Sequence, residues 1–252
     1  MVSRLCLFAV QIYCDFSGYS DIARGCSKLM GIDLMINFKS PYFASSIREF
    51  WQRWHISLST WFRDYVYIPL GGNRVSKFRH YINLLITFMI SGLWHGANIT
   101  FLIWGAVHGF AQIIENCLNL NRRRNILSVL IVFAFTCWAW VFFRAQTLHD
   151  AIYICSHFFD GITSIKSYLY NGIQDLKSVH GDTKIALVLI IIMAVFDYLA
   201  FKYDDFVEWI NSKIYSKNII LRWAVYMILI WLFLVALALT NNTQTEFIYF
   251  QF

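Results

Sequence analysis

The chain has 252 residues, 58% hydrophobic, 19% aromatic and 14% charged, with a mean hydropathy of +0.52, a balance outside that of soluble domains. Its formal net charge of +6 comes from basic residues that flank apolar segments instead of forming one stripe, which argues against nucleic acid and suits contact with anionic membrane lipids. The six cysteines, at positions 6, 14, 26, 117, 137 and 155, are scattered without a C-x-x-C pair, which argues against a zinc site or a disulfide framework.

Arg4 precedes an apolar run, Leu5 to Val10, that passes into Gln11-Ile12-Tyr13-Cys14-Asp15 with no small-residue cleavage site. The segment therefore reads as the tail of a helix and not as a secretory signal. Asp15, Ser17, Asp21 and Arg24 form a polar run near its end, expected to make an interhelical ion-pair network. Ser46-Ile47-Arg48-Glu49 is a capping-box start. From there Ile47, Trp51, Trp54, Leu58, Trp61 and Tyr65 recur in steps of four and three, one face of a helix. The opposite face carries Arg48, Gln52, His55, Ser59 and Arg63. This predicts an interfacial amphipathic helix over 46–68, stopped by Pro69-Leu70-Gly71-Gly72, with His55 projecting from its polar face.

Apolar stretches long enough to approach or cross a hydrocarbon core, which takes about 20 residues, predict spans near 82–94, 99–116, 126–143, 185–201 and 220–240. With no linker and no internal repeat, residues 1–252 read as a single, all-α, polytopic membrane domain. Lys and Arg cluster in Lys39 to Arg79, in Arg122-Arg123-Arg124, and between Lys202 and Arg222. The positive-inside rule places these clusters in the cytoplasm and the stretch Arg144 to Lys184 outside.

His95 sits in Ser91-Gly92-Leu93-Trp94-His95-Gly96-Ala97-Asn98, near the turn between two apolar passes. An ionisable side chain at membrane depth usually faces a cavity, a partner or a reaction path. The bland alternative is a helix–helix hydrogen bond beside Ser91, Gly92 and Gly96, small residues that permit close backbone approach. For His55 the bland alternative is an interfacial hydrogen-bonding residue. His108 reads as structural, and His80, His149, His157 and His180 as loop or interface residues. Three chemistries compete. A haem site on His95 and His108 needs matching histidines on a second span, and none of the other confident spans carries one. A transporter or flippase component fits the hydropathy, but no repeated half is visible. The third is transfer chemistry, in which a desolvated, neutral histidine takes a proton from a substrate hydroxyl as it attacks an activated acyl carbon.

Three runs, in order, closely resemble the membrane-bound O-acyltransferase (MBOAT) family: Tyr13 to Asp21, Phe50 to Arg74, and Ser91 to Asn98. Trp104 to Gly109, Phe142-Phe143-Arg144-Ala145 and the closing Phe247 to Phe252 look like further family segments. The Leu-Trp-His-Gly-Ala and Ile-Pro-Leu-Gly-Gly wording resembles the branch that acetylates alginate and other envelope polysaccharides more than the branch that D-alanylates teichoic acid.

The resemblance implies a multi-pass enzyme of the bacterial plasma membrane. It would move an acyl group, acetyl in this branch, from a thioester donor (acetyl-CoA or an acyl carrier) toward hydroxyls of a cell-envelope polysaccharide, with no bound cofactor and no metal. Exported acyltransferase or esterase-like proteins are the expected partners. His95 matches the family's catalytic histidine, expected as general base, and His55 its second functional histidine. Trp94, Asn98, Ser59 and Arg63 are assigned to the substrate channel. Family members are about twice this length, so the chain resembles their C-terminal half, and a fragment or a second polypeptide supplying the N-terminal helices is expected.

Overall fold

Side-chain caps and one clamped break set the helix boundaries of the computed structural model, which describes residues 2–118, 124–157, 183–203 and 205–240, with 170 and 174. In chain order come α1 (Val2–Leu29), a 3-10 turn (Pro41–Phe43), α2 (Ile47–Arg53), α3 (Ile56–Phe62), a π-helical turn (Arg63–Tyr67), α4 (Lys77–His95) and α5 (Ile99–Cys117). Then follow α6 (Ile126–Arg144), α7 (Leu148–Ser156), α8 (Thr183–Lys202), α9 (Phe206–Tyr215) and α10 (Ile219–Thr240). No strand occurs among the described residues, in agreement with the all-α expectation. Arg122, Arg123, His180 and the closing segment 241–252 lie outside the described residues.

Each of the five expected spans falls inside one helix, α4, α5, α6, α8 or α10. Among the described residues, α6, with 19 residues and a mean hydropathy of 2.4, is the one helix long and apolar enough to cross a membrane. Helix α5 buries Thr100, His108 and Gln112 against protein, so its polarity is absorbed internally. By its contacts the chain divides into two compact units, Met1–Met193 and Ala194–Phe252, where the sequence suggested one domain. The second unit holds α9 and α10, and all the candidate site residues lie in the first.

Two expectations from the N-terminal third are corrected. The ion pair in the polar run of α1 lies within that helix: Arg24 meets Asp21 at 3.3 Å, three residues away on the same face. The segment 46–68 is three helical pieces and not one helix. It breaks at His55, whose φ of 45° is left-handed, because an extended segment crosses it. Lys39 N–H donates to the Arg53 carbonyl at 3.0 Å, and Ile56 N–H donates to the Asn37 carbonyl at 3.0 Å. The side-chain oxygen of Asn37 accepts the Ser57 N–H at 3.1 Å. Asn37 thus satisfies two orphan amides at the start of α3, which has no side-chain cap of its own.

The break also divides the expected apolar face. Ile47, Trp51 and Trp54 are buried in the protein, whereas Trp61 and Tyr65 are exposed. Trp54 stacks on Phe50 at 5.6 Å between ring centroids and meets Trp140 of α6 at 5.2 Å, and Trp140 in turn stacks on Trp104 of α5 at 5.6 Å. Aromatic pairs of this kind contribute about 0.5–1.5 kcal/mol each beyond area burial, so this chain of rings ties α2, α5 and α6 together.

The start of α2 is fixed from two directions. Ser46 Oγ accepts the Glu49 N–H at 3.0 Å, and the Glu49 carboxylate accepts the Ser45 N–H at 2.8 Å. Glu115 of α5 accepts the Ile47 N–H at 2.9 Å and the Arg48 N–H at 3.3 Å. Two carboxylates at a helix N-terminus suit its partial positive charge, and Arg53 and Arg124 neutralise Glu49.

Helices α4 and α5 form a hairpin at backbone contact. A Cβ on Gly92 would lie 2.2 Å from the Phe101 carbonyl oxygen, and one on Gly105 would lie 2.1 Å from the Phe88 carbonyl oxygen. The expected close backbone approach holds at Gly92, whereas a Cβ on Gly96 would meet the Phe101 ring at 2.7 Å and not a main chain. Buried Asn83 of α4 donates to the Leu70 and Gly72 carbonyls at 3.0 and 3.2 Å. It thereby fixes the turn in which Gly71 and Gly72 take φ of 108° and 55°, values that glycine adopts without steric cost.

Candidate active site

The clamp on Asn37 pushes His55 inward. With only 9% of its surface exposed, the side chain does not project from a polar face as the periodicity predicts. Phe16 packs edge-on against its ring at 4.6 Å, and its Nδ1 lies 3.4 Å from Ser57 Oγ. Burial lowers the His55 imidazole from 6.5 to about 4, so it is neutral at pH 7. A non-glycine residue in the left-handed region costs of order 1–3 kcal/mol and is enriched at functional sites. Here the surrounding hydrogen bonds hold that conformation.

His95 ends α4 and is half-buried in aromatic rings. Trp104 and Phe143 stand edge-on to its imidazole at 5.3 and 5.1 Å. Trp94 touches both histidines, its ring centroid lying 5.0 Å from His95 and 6.2 Å from His55.

A cavity of about 680 Å³, lined by neither histidine, opens between α4 and the broken segment 47–67, within the range of small-molecule sites. One face of α4 lines it, through His80, Leu84, Thr87, Phe88 and Ser91. From His80 to Ser91 the helix rises roughly 16 Å at 1.5 Å per residue. His95 is the next residue on that face, four positions beyond Ser91, so the cavity runs along α4 and stops one turn short of it. The wall opposite α4 includes Trp51, Ile56, Ser59 and Phe62 of the broken segment. Arg48, Arg63, Tyr67 and His80 supply polar and cationic groups, with the Tyr67 hydroxyl 2.8 Å from His80 Nδ1. Arg63 and Tyr67 bound the π-helical turn, a form of helix frequent at functional sites.

The expected channel residues separate. Ser59 and Arg63 line the cavity, and Trp94 and Asn98 do not. Trp94 joins the two histidines instead. Asn98 holds the hairpin: its side-chain oxygen caps α5 by accepting the Thr100 N–H at 3.1 Å, and its amide donates to the Gln146 carbonyl at 3.0 Å. Sequence reasoning missed His80, read as a loop or interface residue, although its place in the series 80, 84, 87, 88, 91, 95 is a helical-face signal. It also missed Gln112 and Asn116, one turn apart on α5 and both in the lining. His108 is fully buried, as a structural role requires, and its Nδ1 accepts the indole N–H of Trp51 at 3.2 Å.

Comparison with known proteins points the same way. The sequence model of the MBOAT, membrane-bound O-acyltransferase family, matches residues 1–149. A probable alginate O-acetylase of Pseudomonas putida is 52% identical over 147 residues, covering 57% of this chain and 30% of that protein. A peptidoglycan O-acetyltransferase of Helicobacter pylori is 48% identical over 151 residues, 58% of this chain and 29% of that protein. A teichoic acid D-alanyltransferase of Bacillus subtilis is 32% identical over 164 residues, 56% of this chain and 40% of that protein. The matched stretch thus spans about 30% of the length of the O-acetylating relatives.

Proposed function

We propose that this chain, which belongs to the membrane-bound O-acyltransferase family, carries the acyl-transfer centre of a multi-pass enzyme that acetylates a cell-envelope polysaccharide. The observation that carries this reading is the cavity that follows one face of α4 and stops one turn short of His95. An acyl thioester, from acetyl-CoA or an acyl carrier, lies in that cavity with its carbonyl toward His95 and its polar end among Arg48, Arg63 and His80. His95 takes the proton of an acceptor hydroxyl as that oxygen bonds to the thioester carbon. The carbon–sulfur bond then breaks, and the departing thiolate recovers a proton from the imidazole, which returns to its neutral state. His55 orients or assists from the donor side, linked through Trp94.

A positioned base contributes typically about 10²–10⁴ in rate, and holding donor and acceptor together in a water-poor site supplies more. The aromatic rings around His95 exclude water and keep the imidazole in place. The O-acetylating relatives are 48–52% identical and the B. subtilis D-alanyltransferase 32%, which supports acetyl over D-alanyl transfer. The acceptor is the polysaccharide itself or an exported esterase-like protein that relays the acetyl group, and the chain sits in the bacterial plasma membrane.

The test replaces His95 by Ala in cells carrying the complete system and measures ester-linked acetyl on the envelope polysaccharide and the amount of the protein in the membrane. Acetylation falls at least a hundredfold while the protein still accumulates. Acetylation maintained by an accumulating H95A variant overturns the reading.

A further inference from the structure

We propose that Trp51, held by His108, is a size filter that restricts the cavity to short acyl groups. The inference rests on the acyl-transfer reading above and adds a residue that determines which donor is accepted.

Trp51 is 8% exposed and belongs to the cavity lining. Its ring meets Phe88 of α4 at 5.4 Å and Trp104 of α5 at 5.6 Å. Phe88 lies one turn before Ser91, and Trp104 in turn touches His95. The indole thus lies in the cavity wall one ring removed from His95, and an acyl tail that folds back from the reacting carbon meets it.

A packed indole can be displaced by an apolar ligand if nothing else restrains it. Here a buried polar tether does. The indole N–H donates to His108 Nδ1 at 3.2 Å, and the two rings meet at 86° with centroids 5.1 Å apart. This bond requires the neutral His108 tautomer that keeps its proton on Nε2. His108 is itself fixed, stacked on Phe50 at 6.2 Å and edge-on to Phe135 at 5.4 Å. Swinging Trp51 aside to admit a longer chain breaks this bond where water cannot replace it, leaving a buried donor unpaired. A histidine that the sequence marks as structural thus sets the depth of the site.

The test uses the full chain in detergent and ketone analogues of acetyl- and hexanoyl-pantetheine, in which CH₂ replaces the thioester sulfur, so that binding is read without catalysis. The wild type binds the acetyl analogue at least roughly tenfold more tightly than the hexanoyl one, against the trend of apolar burial, on the scale by which pockets discriminate single methylenes. W51A abolishes or reverses that preference. H108L weakens it, and H108N, which places an amide oxygen near the position of Nδ1, restores it. Unchanged selectivity in a folded W51A variant, or equal loss in H108L and H108N, overturns the proposal, as does failure of the wild type to bind either analogue. Selective binding without acetyl transfer from the matching thioesters counts against the proposed function and leaves the filter standing.

Discussion

His55 and His95 are joined through one indole: Trp94 lies 6.2 Å from the first imidazole and 5.0 Å from the second, centroid to centroid. Trp94 is 55% exposed, so its removal leaves the core intact. If the two histidines act as a unit, W94A and H55N each lower acetyl transfer by about tenfold, and the double variant loses less than the product of the two. Residues in one network show such coupling, and independent sites do not. Strictly multiplicative losses separate the histidines into independent roles.

His55 also makes stability depend on pH. Its folded value of about 4 lies below the unfolded value near 6.5, so the unfolded chain binds the proton first. The contribution is complete above about pH 6.5 and declines as pH falls to about 4, by roughly 3 kcal/mol in all. Thermal unfolding in detergent between pH 4 and 8 shows this as a slope that is steeper in the wild type than in H55N. Asparagine tolerates the left-handed backbone, so that variant keeps the break in the helix.

Backbone contact between α4 and α5 makes their glycines irreplaceable. G105A places a methyl group 2.1 Å from the Phe88 carbonyl oxygen, and neither helix can yield without the other. The cost is about 3 kcal/mol or more, read as a fall in the unfolding midpoint. G18A in α1 meets nothing within 4 Å and stabilises by about 0.5–1 kcal/mol.

Glu115 anchors α2 through the amides of Ile47 and Arg48. Substituting Ala removes charge-assisted bonds at a helix N-terminus and costs about 1–2 kcal/mol. Hydrogen exchange at residues 47 and 48 accelerates in E115A, while exchange in α6 does not change.

Sequence patterning located the helices well, because spans of apolar residues between charged segments leave little choice of structure. It put His95 at the turn between two helices, where α4 ends, and it grouped Ser59 with Arg63, both of which line the cavity. It failed at the break between α2 and α3. The steps of three and four from Ile47 to Tyr65 continue across that break, since short helices in sequence keep the same spacing as a single long one. What turns His55 inward is Asn37, which acts through backbone hydrogen bonds from outside the pattern. The pairing of Trp51 with His108 was equally invisible, since 57 residues separate them and only the fold brings them together.

The contact of Gly92 and Gly105 with the facing carbonyls has a geometric consequence. Two helices that meet at their main chains behave as a fixed scale: slipping by one turn would move α4 by about 5.4 Å and drive a side chain into each carbonyl. How the cavity-lining face of α4 stands against α5 is therefore set by where two glycines occur in the chain. Lengthening α4 at its N-terminus or α5 at its C-terminus leaves that register unchanged.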